Sequence, residues 1–484
     1  MIKLTLKMGA TLTSGLAFAV ILAMTSPCRA QSESDESNEA PAAAVASDQN
    51  ANIVSPNWSR VLKDYVLMPT PTPQITGPSG PTPSRPTGPT SSRPTDRVKI
   101  REYLAPWWPE NYAAIRIGPK YINGVVGSID QGLGVGFGLE FTTADKFSWV
   151  ELRALALTNT LLFQRFKLEA YFPHIGDERT HANVWVNYLL ATQWNFFGLG
   201  PRTPQELRTS FQLEQRSING ILHRNFTDRF KAGVYAGLAN AGATNGNNGN
   251  VSNINTFFSG FPTVTPITAW APGLNMNSEI LYYGLYGEYD RRSIERGLTR
   301  GFYLFGRFGS YDGLDNGAFF NDFGWTWALL DGRAYIPLGS NKTSFAARAF
   351  ASLENPKRGS QIPFYYESFI GGRLYLRGFR TFRFRANNAL VLSAEPRQTI
   401  WAMNERNTRG LDIHVFGDGG QVWGDNRSNT NPVVLANKSF SSIKWRFGVG
   451  GGFTYRHNRA FAARIELGHS NESNLLYFSL SRGF

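Results

Sequence analysis

Apart from Cys28, the 484-residue chain contains no cysteine. Beyond that position, disulfide frameworks, thiol nucleophiles and cysteine-ligated zinc are excluded. Long apolar runs are also missing. Leu16 to Met24 (LAFAVILAM) is apolar but too short to cross a bilayer as a helix. No segment shows the 3.6-residue apolar period of a core-forming helix. The chain has no Gly-x-Ser-x-Gly elbow and no HExxH pair, and its six histidines show no metal-ligand spacing. Gly448 to Gly452 (GVGGG) has no helix after it to make a phosphate loop. Neither an enzyme nor a metal or other cofactor is expected.

Aromatics, at 14%, and 49 glycines stand out against this background. Mean hydropathy is slightly negative. Short strands punctuated by glycine and aromatic residues suit this mix better than a helical membrane protein or a soluble α/β enzyme. The net charge of +13 comes from basic residues spread singly along the chain. A nucleic-acid surface would cluster them, so no nucleic-acid partner is expected. A channel interior lined with arginine accounts for the balance.

Residues 1–30 read as a secretory signal: Lys3 and Lys7, then the apolar run, then Cys28-Arg29-Ala30 with small residues for cleavage after Ala30. A lipoprotein signal ending at Cys28 is the rival, which Pro27 fits poorly. Residues 31–110 are acidic and alanine-rich, then rich in Pro, Thr and Ser, with the near-repeats PSRPT and SSRPT. Nothing there has a periodic apolar face, so a disordered or polyproline-II tether in the periplasm is expected.

From residue 111 to 484, segments of about ten residues alternate apolar and polar between turn signals, as in a transmembrane β-barrel. Ile443 to Arg456 is the clearest. Trp445, Phe447, Val449 and Phe453 share one face, and Lys444, Arg446, Gly448 and Thr454 the other. Phe461, Ala463, Ile465 and Leu467 alternate in the same way with Arg464 and Glu466. The length admits about 16 strands, the doubtful one being Tyr112 to Asn123. The last segment ends in Phe478, Leu480 and the terminal Phe484 on one face, a signal for the machinery that assembles outer-membrane barrels. Arg482 on that face departs from it. The predicted fold is all-β: a transmembrane antiparallel barrel in the bacterial outer membrane.

One segment breaks the pattern. Phe369 to Phe379 (FIGGRLYLRGF) carries the pair Gly371-Gly372, two arginines and the run Arg377-Gly378-Phe379. It resembles the arginine-glycine-phenylalanine loop of the bacterial surface antigen barrels, the superfamily of BamA, TamA and the two-partner secretion translocators. Three further stretches agree in order. NFFGLG, with Phe197, Gly198 and Gly200, resembles the family's aromatic-glycine segment. AEPR, with Glu395 and Arg397, resembles its Glu-x-Arg strand, and VFGDGGQV, with Phe416, Asp418 and Gly420, its Phe-x-Asp-x-Gly strand. The resemblance implies a 16-stranded barrel whose sixth external loop folds into the lumen, with Arg377 paired to Asp418 and also to Glu395. Alternation alone puts both carboxylates on a polar face, the face of Asp412 and His414 for Asp418. That Asp412/His414 pair is the nearest approach to a hydrolytic group and reads as a hydrogen-bonded lumen pair.

Pro396 between Glu395 and Arg397 predicts a bulge or local break. The composition of residues 31–110 does not permit the packed client-receiving periplasmic domains usual in the family, so the chain is expected to lack them. The resemblance implies work in outer-membrane protein assembly or in transport across that membrane. Expected partners are outer-membrane lipid, unfolded client polypeptides and, during biogenesis, the barrel assembly machinery. A passive pore, a lipid exporter or a structural surface barrel stand as alternatives.

Overall fold

The structure is a computed structural model. It describes residues 111–484 apart from 117–121, 129–135, 144–146, 148, 247–250, 256–270, 296–297, 315–322, 340–341, 404–408, 425–443, 458–460 and 482–484. The signal and tether expected over 1–30 and 31–110 lie outside the described residues.

Alternation of lipid-facing and lumen-facing residues builds one long antiparallel sheet in chain order. Its first half holds β1 (Asn111–Arg116), β2 (Ile122–Ser128), β3 (Gly136–Thr142), β4 (Glu151–Asn159), β5 (Gln164–Phe172), β6 (Thr180–Phe196), β7 (Thr209–Asn225), β8 (Phe230–Asn245) and β9 (Asn277–Asp290). Three residues, β10 (Ser293–Glu295), extend that edge against β11 (Leu298–Gly313), followed by β12 (Gly324–Pro337) and β13 (Thr343–Pro356). A separate two-stranded ribbon, β14 (Phe369–Ile370) and β15 (Phe384–Arg385), interrupts the order. The wall then resumes with β16 (Asn388–Ala402), β17 (Arg409–Trp423), β18 (Arg446–His457), β19 (Phe461–His469) and β20 (Asn474–Ser481).

Setting aside β1 and the three short pieces, the wall has 16 strands. The doubtful segment Tyr112 to Asn123 is not one of them. It splits between β1 and the start of β2, which pair as a hairpin, Asn111 opposite Ser128. One further expectation shifts, at a strand start, and the local break expected at Pro396 is present. The clearest predicted strand begins at Arg446, with Ile443 outside the described residues. At Pro396, the β16–β17 ladder is broken at Glu395 and Pro396 without a change of register, and the bulge falls later, between Thr399 and Trp401. Proline removes one donor, and its neighbours hold the register on both sides.

The outer face explains why the sheet is a membrane wall. Leu285 is 61% exposed, Phe308 59% and Phe447 65%, and they recur with Leu139, Leu304, Leu392, Val415 and Leu467 from strand to strand. A water-soluble sheet would not leave so continuous an apolar belt uncovered, whereas hydrocarbon matches it. The inner face carries paired charges: Arg153 with Glu140, Lys231 with Glu288 at 2.9 Å, and Arg333 and Arg348 both on Asp331. All are buried. Opposite charges facing each other in this confined space replace solvent for one another.

The connections sort by end. The link 226–229 is short, whereas the longer connections 197–208 and 357–387 lie at the opposite end. Counting from β2, the β13–β16 connection is the sixth at that end. It passes into the interior instead of leaving it. Its tip touches β17, β19 and β20, while its stem packs on β6, β7 and β9. One segment thus bridges strands from both halves of the wall.

Candidate functional site

The loop first turns on glycine. Gly371 and Gly372 have φ of +115° and +81°, where a side chain is strained, and a Cβ on Gly371 would collide with the Arg380 carbonyl. The chain reverses there, so that Gly372 N donates to Phe379 O at 2.9 Å. The reversal carries Leu376 and Arg377 to the far wall. Phe379 is fully buried and meets Phe384 edge-on at 5.4 Å.

Arg377, 1% exposed, is the end of this reach. Its Nε and Nη2 donate to the two Asp418 oxygens, both at 2.7 Å, and its backbone N–H donates to Asp418 Oδ2 at 3.1 Å. Nη1 donates to Glu395 and to Glu466, both at 2.8 Å. The guanidinium lies over the Phe416 ring, 3.4 Å from its centroid. A planar fork with one stacked face and every edge hydrogen-bonded is what arginine, and not lysine, provides. Burial opposes the charge, but Asp418, then Glu466 and Glu395, outweigh it and hold the Arg377 pKa well above its ordinary value.

The structure therefore brings together Arg377, Asp418, Glu395 and Phe416. Sequence reasoning missed Glu466 and Arg464. Arg464 donates to Glu395 at 2.7 Å and to Glu466 at 2.6 Å, and Arg397 donates to Glu395 at 2.8 Å. Three arginines face three carboxylates, so the knot is neutral as a whole. Alternation had already put Arg464 and Glu466 on the wet face of β19; their meeting with a loop about 90 residues earlier is a tertiary fact.

Close approach is the second requirement, and the wall supplies it with glycine. Gly378, at φ +91°, donates its N–H to Tyr477 Oη at 2.9 Å, and its carbonyl accepts from Ser470 and Ser473, both at 2.7 Å. A Cβ on Gly378 would lie 2.6 Å from the His469 carbonyl oxygen. A Cβ on Gly448 would run into the Arg377 carbonyl, and one on Gly420 would press on Ile370 and Leu376. The GVGGG run of β18 thus has a reason at its first residue.

The aromatic-glycine segment meets the same loop from the other side. Gly198 and Gly200 have φ of +89° and +109°, and Gly200 N donates to Arg385 O at 2.6 Å. Phe197 is fully buried, 5.0 Å below the Arg383 guanidinium. Arg383 also donates to the Thr203 carbonyl at 2.6 Å and to Glu472 at 2.5 and 2.9 Å. Among the C-terminal signal residues, Phe478 is half-buried in β20, and the side chain of Leu480 and all of Phe484 lie outside the described residues.

Asp412 is held by Arg456 at 2.6 Å and by Thr399 at 2.7 Å, and His414 Nε2 faces Glu466 at 3.4 Å. Glu395, His414 and Glu466 offer ligand atoms within 4.8 Å of one another, the geometry of a small cation site. Arg377 and Arg464 already donate to both glutamates, and two guanidinium charges beside the site oppose a metal ion.

Residues 299–475 match the family model of the Omp85 superfamily domain. That span runs from β11 into β20 and contains Arg377, Glu395, Asp418 and Glu466. It agrees with the resemblance carried by the motifs. No curated protein sequence matches the chain. Among solved structures it is similar to BamA from Haemophilus ducreyi lacking POTRA domains 1–3, with 13% identity and a TM-score of 0.51, over 80% of this chain and 76% of that one. This likeness shows the barrel fold. It is also similar to CdiB from Escherichia coli (11% identity, TM-score 0.47, 76% and 67% covered) and CdiB from Acinetobacter baumannii (13%, 0.42, 74% and 58%).

Proposed function

We propose, from the Omp85 superfamily domain that residues 299–475 carry, that this chain is an outer-membrane barrel that handles polypeptides, in membrane-protein assembly or in transport across the membrane. The observation that carries the reading is the inward loop tied through Arg377 to β16, β17 and β19 at once. Such a tie fixes the late strands to one another from inside. It leaves the apolar outer face free for lipid and for strands entering it. Neutral pairing of every charge in the knot makes it a positioning device, and we read the chain as non-catalytic. In this reading the N-terminal segment lies in the periplasm, and the barrel assembly machinery inserts the chain.

A second reading, a passive pore or lipid exporter, draws support from the arginine-rich lumen, with Arg153, Arg165, Arg307 and Arg348 all on the inner face. Depleting the chain from its host and quantifying outer-membrane and surface polypeptides separates the two. Client handling predicts loss of a defined set of polypeptides. An unchanged set would remove client handling and leave the pore.

A further inference from the structure

A cavity of about 80 Å³ lies under the stem of the inward loop, against the inner face of β5 to β11. At roughly 10–15 Å³ per water by this measure, it holds several waters or one small ion. Three arginines line it, Arg165 from β5, Arg307 from β11 and Arg385 from β15, and no Asp or Glu does. Arg165 is fixed by Asn187 at 3.1 Å.

The other two are unusual in how they are held. Arg307, 8% exposed, sits between the rings of Tyr235 at 3.7 Å and Trp327 at 4.8 Å. Arg385, 1% exposed, is flanked by Phe369 at 5.4 Å and Phe382 at 5.1 Å, and gives one N–H to the Phe364 carbonyl at 2.9 Å. Aromatic rings thus take the faces of both guanidiniums and leave the edges. On those edges, Nε of Arg307 and both Nε and Nη2 of Arg385 are buried without a hydrogen-bond partner. Neither arginine forms an ion pair among the described residues, although Glu354 and Glu367 are near enough to temper the charge of Arg385. By contrast Arg153, Arg333, Arg348, Arg377 and Arg464 each meet a carboxylate. A stacked guanidinium with a free N–H edge is the geometry that binds an oxyanion in its plane. Buried N–H groups of charged side chains are costly to leave unmade.

We propose that this cavity is an anion site that takes one small free oxyanion of phosphate or carboxylate type, held edge-on by Arg307 and Arg385. Asn219 and Gln215, which also line the cavity, offer further polar contacts. A space of about 80 Å³ has no room for an acyl chain, so the ion is taken free and not as a lipid headgroup.

The test is calorimetric titration of inorganic phosphate into the full-length chain, purified in detergent and kept in a buffer free of chloride and carboxylates. Saturable one-to-one binding is expected. R307M should weaken it at least tenfold, and R358Q, at an exposed arginine outside the cavity, should leave it unchanged. Heat-modifiable gel migration confirms that each variant is folded. Absence of saturable binding to the wild-type chain, or equal affinity in folded R307M, would overturn the proposal. A short-chain phosphatidic acid should bind no more tightly than phosphate. Tighter binding of that lipid would overturn the free-ion assignment.

Discussion

Replacing Arg377 by methionine keeps much of the apolar stem and removes the guanidinium. Four side-chain hydrogen bonds disappear: two to Asp418, one to Glu395 and one to Glu466. The three carboxylates do not suffer equally. Glu395 and Glu466 keep Arg464, and Glu395 also keeps Arg397. Asp418, 3% exposed, keeps the Arg377 backbone N–H but loses the only cation paired with it among the described residues. Stripping one partner from a buried pair costs about 3–5 kcal/mol, chiefly through the charge left behind. The wall is held by its own ladders, so the cost falls on the docked loop and not on the barrel. Hydrogen exchange by mass spectrometry on residues 370–384 reads that local opening. The amides of Arg377, Gly378 and Gly372 are the reporters, each hydrogen-bonded in the docked state. At 1.36 kcal/mol per decade, exchange there should speed up by roughly two to nearly four decades. Amides of β7 and β12 should be unmoved. A change below about tenfold would refute the reasoning. Adding D418N to R377M should recover part of the loss, because the stranded charge is then gone.

G448A removes no charge yet sets a methyl group against the Arg377 carbonyl, so the same peptides should exchange faster while Arg377 is intact; unchanged exchange would mean the loop tip does not lie against β18. L285K places a charge on the outer face, where the cost near the membrane mid-plane is about 2–4 kcal/mol. Urea titration of the chain folded into lipid vesicles measures it, and a loss under 0.5 kcal/mol, on the order of a surface substitution, would mean that Leu285 does not face hydrocarbon.

The wall was legible because a strand has a period of two and a membrane asks opposite things of its two faces. Phe447, Val449 and Phe453 are exposed, and Arg464 and Glu466 are buried, as their alternation required. Strand edges were less legible. Tyr112 to Asn123 reads as one run, and only pairing shows that its two ends belong to different antiparallel strands. Pro396 signals lost pairing, but sequence does not say whether register changes. In the knot, Arg377, Asp418 and Glu395 were accessible through ordered motifs. Glu466, Ser470 and Tyr477 were not, because a loop tip's contacts depend on where the wall curves to meet it. Gly448 looked like strand punctuation until the carbonyl it accommodates was in view. The buried edges of Arg307 and Arg385 carry no sequence signal at all, since two arginines 78 residues apart say nothing of a shared cavity.

Ion conductance in planar bilayers tests the docked loop most directly. The wild-type chain, its lumen crossed by the loop and knotted at Arg377, should show a low baseline current, and R377M should open to larger and longer conducting states. A large, steady current through the wild-type chain, unaltered in R377M, would contradict the loop's role as an internal tie and favour a passive pore.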